Sequence, residues 1–223
     1  MSALRLAHRR ALPAALLWLA LLVPAPANGE GGAAAPPAAG LRPGSLLVAS
    51  RNLRDPSFRE TVVVVVDYAA SGATGLILNR PTPVPFASAI PEIDALKRLS
   101  INLYLGGPVA RYQVGLLVRA PAPLPAAQAR LLFDSVYFSG QLTTLLALLK
   151  GVPPGVTVHA YAGHAGWGPG QLDAEVRGGG WHVTTANAAT CFDTGAAELW
   201  PTLIERVEPR AILTRLEPPW GAR

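Results

Sequence analysis

The chain is poor in the residues that usually carry chemistry. It has one cysteine and four histidines in 223 residues. A single Cys191 excludes an internal disulfide, so a folded domain must stand on its core, even in an oxidising compartment. With no electropositive neighbour in sequence, Cys191 reads as a small buried hydrophobe. There is no His-Glu-x-x-His, no cysteine pair and no carboxylate-rich loop. His159, His164, Asp173, Glu175 and His182 therefore lack metal-binding spacing, and neither a metal nor another cofactor is expected. His159 and His164 fall on one predicted strand at a spacing that sends them to opposite faces. A serine elbow is missing too: Phe138-Ser139-Gly140 lacks the leading glycine, and Ser139 reads as a helix cap. Charged residues make up only 15% of the chain. Arg51, Arg54 and Arg59 alternate with Asp55 and Glu60, which describes a solvated turn and not a phosphate track. Nothing resembles a helix-turn-helix.

What is present begins with a basic cluster, Arg5, His8, Arg9 and Arg10. An apolar run from Ala11 to Val23 follows, then the small-x-small sequence Ala25-Pro26-Ala27. This order predicts a signal peptide over residues 1–27, cleaved between Ala27 and Asn28, and hence export to the periplasm or medium. The rival reading, an uncleaved anchor, suffers because the run is shorter than the ~20 residues of a spanning helix and Pro13 lies within it. Nothing after Asn28 is long and apolar enough to span a bilayer. Removing Arg5, Arg9 and Arg10 from the 19 basic residues leaves 16 against 14 acidic ones, a balance of +2. So neutral a surface is not built to grip a polyanion, and no nucleic-acid partner is expected. Residues 28–43 form a flexible Ala/Pro/Gly leader. Residues 44–207 form one domain, and the structure of the 208–223 tail is left open.

Within the domain, Ser45–Ala49 reads as a strand. Five consecutive valines between Thr61 and Asp67 indicate a central strand covered on both faces. Gly75–Asn79 is its hairpin partner, stopped by Pro81. Ile90, Ile93, Leu96 and Leu99 recur at helical spacing within Phe86–Leu99. Leu103–Leu105, Val114–Val118 and Val136–Phe138 are strands. Ser139 then caps a helix with the stripe Leu142, Leu145, Leu146 and Leu149, ended by Gly151. Val156–Tyr161 is a strand feeding a strand-to-helix turn, with Pro169 at the first helical position. Trp181–Thr185 is the last clear strand, and Leu199, Leu203 and Val207 mark a closing helix. Hairpins with isolated helices, and no β-α-β alternation, predict an α+β fold.

Four separated motifs carry a resemblance. In order they are Asp55-Pro56-Ser57-Phe58; the valine strand followed by Gly75-Leu76-Ile77-Leu78-Asn79-Arg80-Pro81; Gly106-Gly107-Pro108-Val109; and Ala165-Gly166-Trp167-Gly168-Pro169-Gly170-Gln171-Leu172. Together they make residues 44–207 resemble the AlgH/YqgE family of bacterial proteins. The resemblance implies a strongly bent, mixed but largely antiparallel sheet, partly closed into a barrel and flanked by helices. It implies no catalytic mechanism, and the regulator label attached to the family comes from genetics. This chain departs from the family in carrying a signal peptide, where typical members are cytoplasmic, and in having His164 where members usually carry tyrosine.

The glycine-rich turns are the candidate binding face, through Asn79, Arg80, Gly106, Gly107, Pro108, His164, Trp167, Gly168 and Gln171. Backbone N–H nests could cradle an anion there, although neither phosphate-binding fingerprint is met and Pro169 removes a donor. Alternatively, the glycines let Trp167 and a tight turn pack closely against neighbouring backbone. Trp167 either floors a cleft between the turns or locks it from beneath. The leading functional reading is an exported, non-enzymatic domain binding an unidentified protein or small ligand. The alternative is a hydrolase-like enzyme using His164, Gln171 and Asp173, which requires these to converge with Asn79 or Arg80. DNA binding is the weakest reading.

Overall fold

The computed structural model describes residues 40–125, 129–150 and 154–209. The predicted signal peptide, most of the leader and tail, and the Gly151 helix stop lie outside the described residues. In chain order the strands begin with β1 (Ser45–Ala49), β2 (Val62–Ala69), β3 (Gly72–Ile77), β4 (Pro81–Pro85) and β5 (Asn102–Leu105). They continue with β6 (Val109–Arg119), β7 (Arg130–Phe133) and β8 (Val136–Ser139), followed by helix α1 (Leu142–Lys150). Strand β9 (Thr157–Trp167), helix α2 (Gln171–Arg177), β10 (Trp181–Thr185), α3 (Ala188–Phe192) and α4 (Ala196–Val207) complete the domain. No described helix is long and apolar enough to cross a membrane.

The strands form one curled sheet, a half-barrel in the order β10-β1-β2-β3-β9-β6-β8-β7, with β4 and β5 branching from β9. All described pairings are antiparallel except β5 with β9. The α+β architecture and the bent sheet are therefore as expected. Strand β9 is the spine. Its first half pairs with β5 at Ala160–Ala162, and its last residues pair with β3 at Ala165–Trp167. The change of partner occurs around Gly163, whose φ of 70° only glycine adopts without strain.

The valine run shows why β2 is central. Val62, Val64 and Val66 enter a core with Leu46, Leu76, Tyr161 and α4 residues Leu199, Leu203 and Ile204. Val63 and Val65 enter a second core on the other face with Trp167, Leu172 and Trp181. Period-2 geometry splits the run between two cores, and each fully buried valine stabilises the fold by about 1.5–3 kcal/mol. A third core lies under α1, around Phe86, Leu96, Leu116, Tyr137 and Leu145.

Several local expectations are corrected. The stretch Phe86–Leu99 is not one helix but two 3-10 turns, Phe86–Ser88 and Asp94–Leu99. Pro91 lacks an N–H and disfavours α geometry at Ile90, so the apolar spacing buries Ile90 and Leu96 without a continuous helix. Ser139 ends β8 ahead of α1. Its Oγ accepts from Gln141 N–H at 3.1 Å and donates to Thr144 Oγ1 at 2.8 Å, so it braces the turn from outside the helix. Leu146 does not join Leu145 in the core; 41% of its surface is exposed. Pro81 begins the edge strand β4 instead of ending sheet structure, since an edge strand has N–H positions to spare. Strand β9 runs on through Trp167, where a turn was expected from Ala162. Pro169 precedes α2 by two residues, and Gly170, at φ 68°, occupies the N-cap.

Candidate functional site

The expected site residues separate into three groups. Asn79 is a clamp: its Oδ1 accepts from Val62 N–H at 3.0 Å, and its Nδ2 donates to Glu60 O at 2.9 Å. Arg80 donates from Nη2 to Arg59 O at 2.8 Å. Both side chains thus hold the loop between β1 and β2, where Glu60 sits at φ 54°. The same loop opens with an Asx turn, Asp55 Oδ1 accepting from Ser57 N–H at 2.7 Å. It delivers Phe58 against Trp167 and Trp181, with ring centroids 6.0 and 5.7 Å away.

Gly106, Gly107, Pro108 and His164 form the second group. Here two backbone segments interleave. A Cβ on Gly107 would lie 2.1 Å from the His164 carbonyl carbon, and one on Gly106 would lie 2.3 Å from Gly163 O. The Gly106 N–H donates to Ala162 O at 2.8 Å, and its carbonyl accepts from Ile77 N–H at 2.9 Å. These glycines are there for close approach, and the Gly106 N–H is already used within the sheet. Burial pushes the half-buried His164 imidazole below its usual pKa, so it is neutral at pH 7.

Trp167, Gly168 and Gln171 form the third group, and its hub is Glu175. Glu175 Oε2 accepts from both indole N–H groups, Trp167 and Trp181, each at 2.9 Å. Its Oε1 accepts from Gln171 Nε2 at 2.9 Å, and Gln171 Oε1 accepts from Gly168 N–H at 3.0 Å. Trp167 is buried core and stacks with Phe58. Two residues from Glu175, buried Asp173 accepts from Tyr68 O–H at 2.7 Å; desolvation and then this hydrogen bond push the Tyr68 phenol up to about 12. Thus Gln171 and Asp173, on one helix, spend their side chains on different partners. Between the second and third groups, a Cβ built on Gly166 would stand 3.6 Å from Val109 Cγ2 and 3.8 Å from the His164 ring. The side chains of Asn79 and Arg80 bond to Val62, Glu60 and Arg59, and those of Gln171 and Asp173 to Gly168, Glu175 and Tyr68.

Beside the Gly106–Pro108 turn, β6 bulges. Residues 109–114 oppose only 162–164 of β9. The surplus projects as a ridge bearing Ala110 at φ 47°, exposed Arg111, and Tyr112 with 79% of its surface in solvent.

A concavity of about 210 Å³ lies where Tyr104 and His159 meet the segment Cys191–Ala196. His159 is sandwiched between Tyr104 and Phe192, with centroids 5.1 and 4.7 Å away. Arg119 lies 5.1 Å over the Phe192 ring and binds both Asp193 oxygens at 2.8 Å. Desolvation and the Arg119 charge lower the His159 pKa. Cys191, buried behind, has its thiol pushed up to about 12, mainly by desolvation. It is an inert packing group. Sequence reasoning missed this constellation because α3 is five residues long. Its available signal was Asn187 three residues before Thr190, whose N–H donates to Asn187 Oδ1 at 2.8 Å. Among the described residues no group of three or more His, Cys, Asp or Glu could hold a metal ion.

The AlgH-like family model matches residues 46–211. The chain belongs to the AlgH-like family. A UPF0301 protein of Burkholderia mallei (strain SAVP1) is 34% identical over 159 residues, covering 68% of this chain and 81% of that protein. A UPF0301 protein of Burkholderia pseudomallei (strain K96243) matches to the same extent, 34% over 159 residues. The solution structure of the Pseudomonas aeruginosa AlgH protein is 27% identical with a TM-score of 0.60, covering 80% of this chain and 94% of that one. A crystal structure of a Corynebacterium diphtheriae protein aligns with a TM-score of 0.62 and 26% identity, covering 76% and 88%. The curled sheet and its flanking helices are the AlgH-like fold. The family's function is uncharacterised.

Proposed function

We propose that this AlgH-like chain is an exported, non-enzymatic binding domain that engages a protein partner through the ridge at residues 109–113. The observation that carries this reading is Tyr112. It stands 79% exposed on a bulge whose base is fixed by the interleaved Gly106–Gly107 and Gly163–His164 backbones. A rigid base holding an exposed Tyr and Arg is how interface hot spots are presented, because little ordering entropy is lost on binding. Of the residues that suggested catalysis, Asn79, Arg80, Gln171 and Asp173, though not His164, have side chains bonded to backbone and to Glu175 and Tyr68, which favours binding over hydrolase-like chemistry.

Export is supported by the basic, apolar and small-x-small succession ahead of Asn28. Mass spectrometry of protein from the native host should find a mature chain beginning at Asn28. A soluble cytoplasmic chain beginning near Met1 would overturn export. For the ridge, a photo-crosslinking residue at Tyr112 should capture one saturable partner. The same residue at Leu131, 54% exposed on β7, should not. No adduct at either position, or equal adducts at both, would overturn the ridge.

A further inference from the structure

We propose that the C-terminal tail of this chain, through residues 211–216, docks along the outer edge of β10 as an added strand and seats an apolar side chain in the concavity between β10 and β7. This inference does not rest on the ridge. It starts from how the sheet treats its edges. The sheet ends in β10 on one side and β7 on the other, and β4 forms a third edge. Two of these edges are guarded. At β4, the Arg80 carbonyl accepts from Leu105 N–H and the Phe86 N–H donates to Ile101 O. Their neighbours Pro81 and Pro85 therefore turn outward, where neither has an N–H to offer. At β7, Arg130 donates to the Val66 carbonyl and to Asp67 of β2. The Leu132 carbonyl lies so close to Gly44 that a Cβ there would stand 2.6 Å from it.

Strand β10 is different. Among the described residues it pairs with β1 on one side and with no strand on the other. Ser50 N–H donates to Gly180 O, whereas Ala49 N–H donates to Thr61 O on the far side of β1. Alternation along the two strands then turns the backbone groups of Trp181, Val183 and Thr185 outward. None of the three is proline or charged. A neutral edge with main-chain donors and acceptors in a row takes on a further strand.

The occupant follows from where the chain goes next. Helix α4 ends at Val207, and Glu208 Oε2 lies 3.0 Å from His182 Nε2 of β10 and accepts from Arg51 N–H at 3.3 Å. Pro209, the last described residue, thus leaves beside β10. Ahead of it stands Ala211-Ile212-Leu213-Thr214-Arg215-Leu216, a strand-like composition without glycine or proline. Residues 210–216 reach about 23 Å as a strand, more than the ~17 Å that five residues of β10 span. The tail can therefore follow the edge from Trp181 to Thr185. That end opens on a concavity of about 200 Å³, lined by Val183, Thr185, Leu132, Phe133 and Gly44 among others. The leader reaches the same concavity, because Gly40 lines it. Apart from Asn28 and Glu30, however, residues 28–39 are all glycine, alanine and proline, with Pro36 and Pro37 adjacent. They offer no large apolar side chain and lack donors where a strand needs them, so the tail is the occupant. Any partner strand that pairs with β10 must first displace it.

The test is amide hydrogen exchange, read by NMR on the labelled full chain, on a chain ending at Pro209, and on a full-length Ile212→Pro, Leu213→Pro variant. In the full chain the Val183 and Thr185 amides should be protected. In both altered chains they should exchange at least tenfold faster, while His182 and Thr184, which face β1, stay unchanged. A photo-crosslinking residue at Leu213 should join the walls of the β10–β7 concavity within one chain. Equal exchange at Val183 and Thr185 in all three proteins would overturn the proposal, and so would an equal rise at His182 and Thr184, which would assign the change to the whole sheet. Loss of protection on deleting residues 28–39, with none on shortening the tail, would make the leader the occupant. Crosslinks from Leu213 that join two chains, or that fall elsewhere on the domain, would also overturn it.

Discussion

The two ends of β9 make opposite uses of aromatic residues. At the C-terminal end, Trp167 stacks on Phe58, and its indole N–H shares the Glu175 carboxylate with Trp181. There a buried indole N–H has found its acceptor. At the N-terminal end, His159 and Tyr161 also lie among aromatic rings, yet His159 Nδ1 and the Tyr161 hydroxyl have no acceptor or donor. The motif-rich end is locked, and the motif-poor end is chemically open. At the locked end the Gly106-Gly107 pair and Trp167 mark where the chain folds tightly.

Breaking the locked end should have the larger effects. The largest is expected at Gly107, where a Cβ would come within 2.1–2.3 Å of the His164 and Ala165 backbone. Gly107→Val should cost about 4 kcal/mol or more, because backbone on both sides must separate. Urea unfolding of the variant measures it; a loss under about 1 kcal/mol would show that the two segments part easily. Trp167→Ala comes next, at about 3–5 kcal/mol, since it removes a core ring and orphans half of the Glu175 hub. If stability holds while only binding is lost, Trp167 belongs to a cleft after all. Glu175→Leu should cost about 1–3 kcal/mol by stranding two indole N–H groups, whereas Glu175→Gln, which keeps one acceptor oxygen, should cost less. Equal thermal shifts for the two variants would show that the carboxylate is not acting as acceptor.

The smallest effect sharpens the comparison at the open end. His159 is held below its ordinary pKa by desolvation and by Arg119. The folded state therefore binds its proton less readily than the unfolded chain does. The resulting stability is full above the unfolded value of about 6.5 and is lost as pH falls through the lowered folded value. His164 contributes in the same sense. Asp193 and Glu208, lowered by their hydrogen bonds to Arg119 and His182, lose their contributions only in the more acidic carboxylate range. His159→Phe should flatten the stability profile between about pH 7 and pH 5, measured by urea unfolding at each pH. An unchanged slope would assign the acid sensitivity to His164 and the carboxylates.

The strands were legible wherever residue type and burial agreed. The five valines announced a strand covered on both faces, because no other arrangement hides five β-branched side chains in a row. Gly106-Gly107 was legible as a place of close packing, whereas Gly166 and Gly168 are exposed and a Cβ at either would meet its nearest neighbour at 3.6 Å or more. The 3-10 turns were not legible, since Ile90 and Leu96 bury their side chains at a spacing that a helix would also produce. Nor was the true extent of β9, because its glycines read as a turn while their backbone N–H and C=O groups were being paired across the sheet. The aromatic cavity was hidden most completely. Tyr104, His159 and Phe192 come from three distant segments, and no local pattern connects them.

By itself, then, the amino-acid order determined the α+β class, the central valine strand, and the family, all of which rest on period-2 burial and on glycines at fixed places. The tertiary structure alone decided which polar groups are already spent and which are not. Asn79, Gln171 and Asp173 find their partners only when loop, strand and helix close upon one another. Satisfaction of a hydrogen bond depends on distance in space across segments far apart in the chain, and no reading of neighbours in sequence contains that distance.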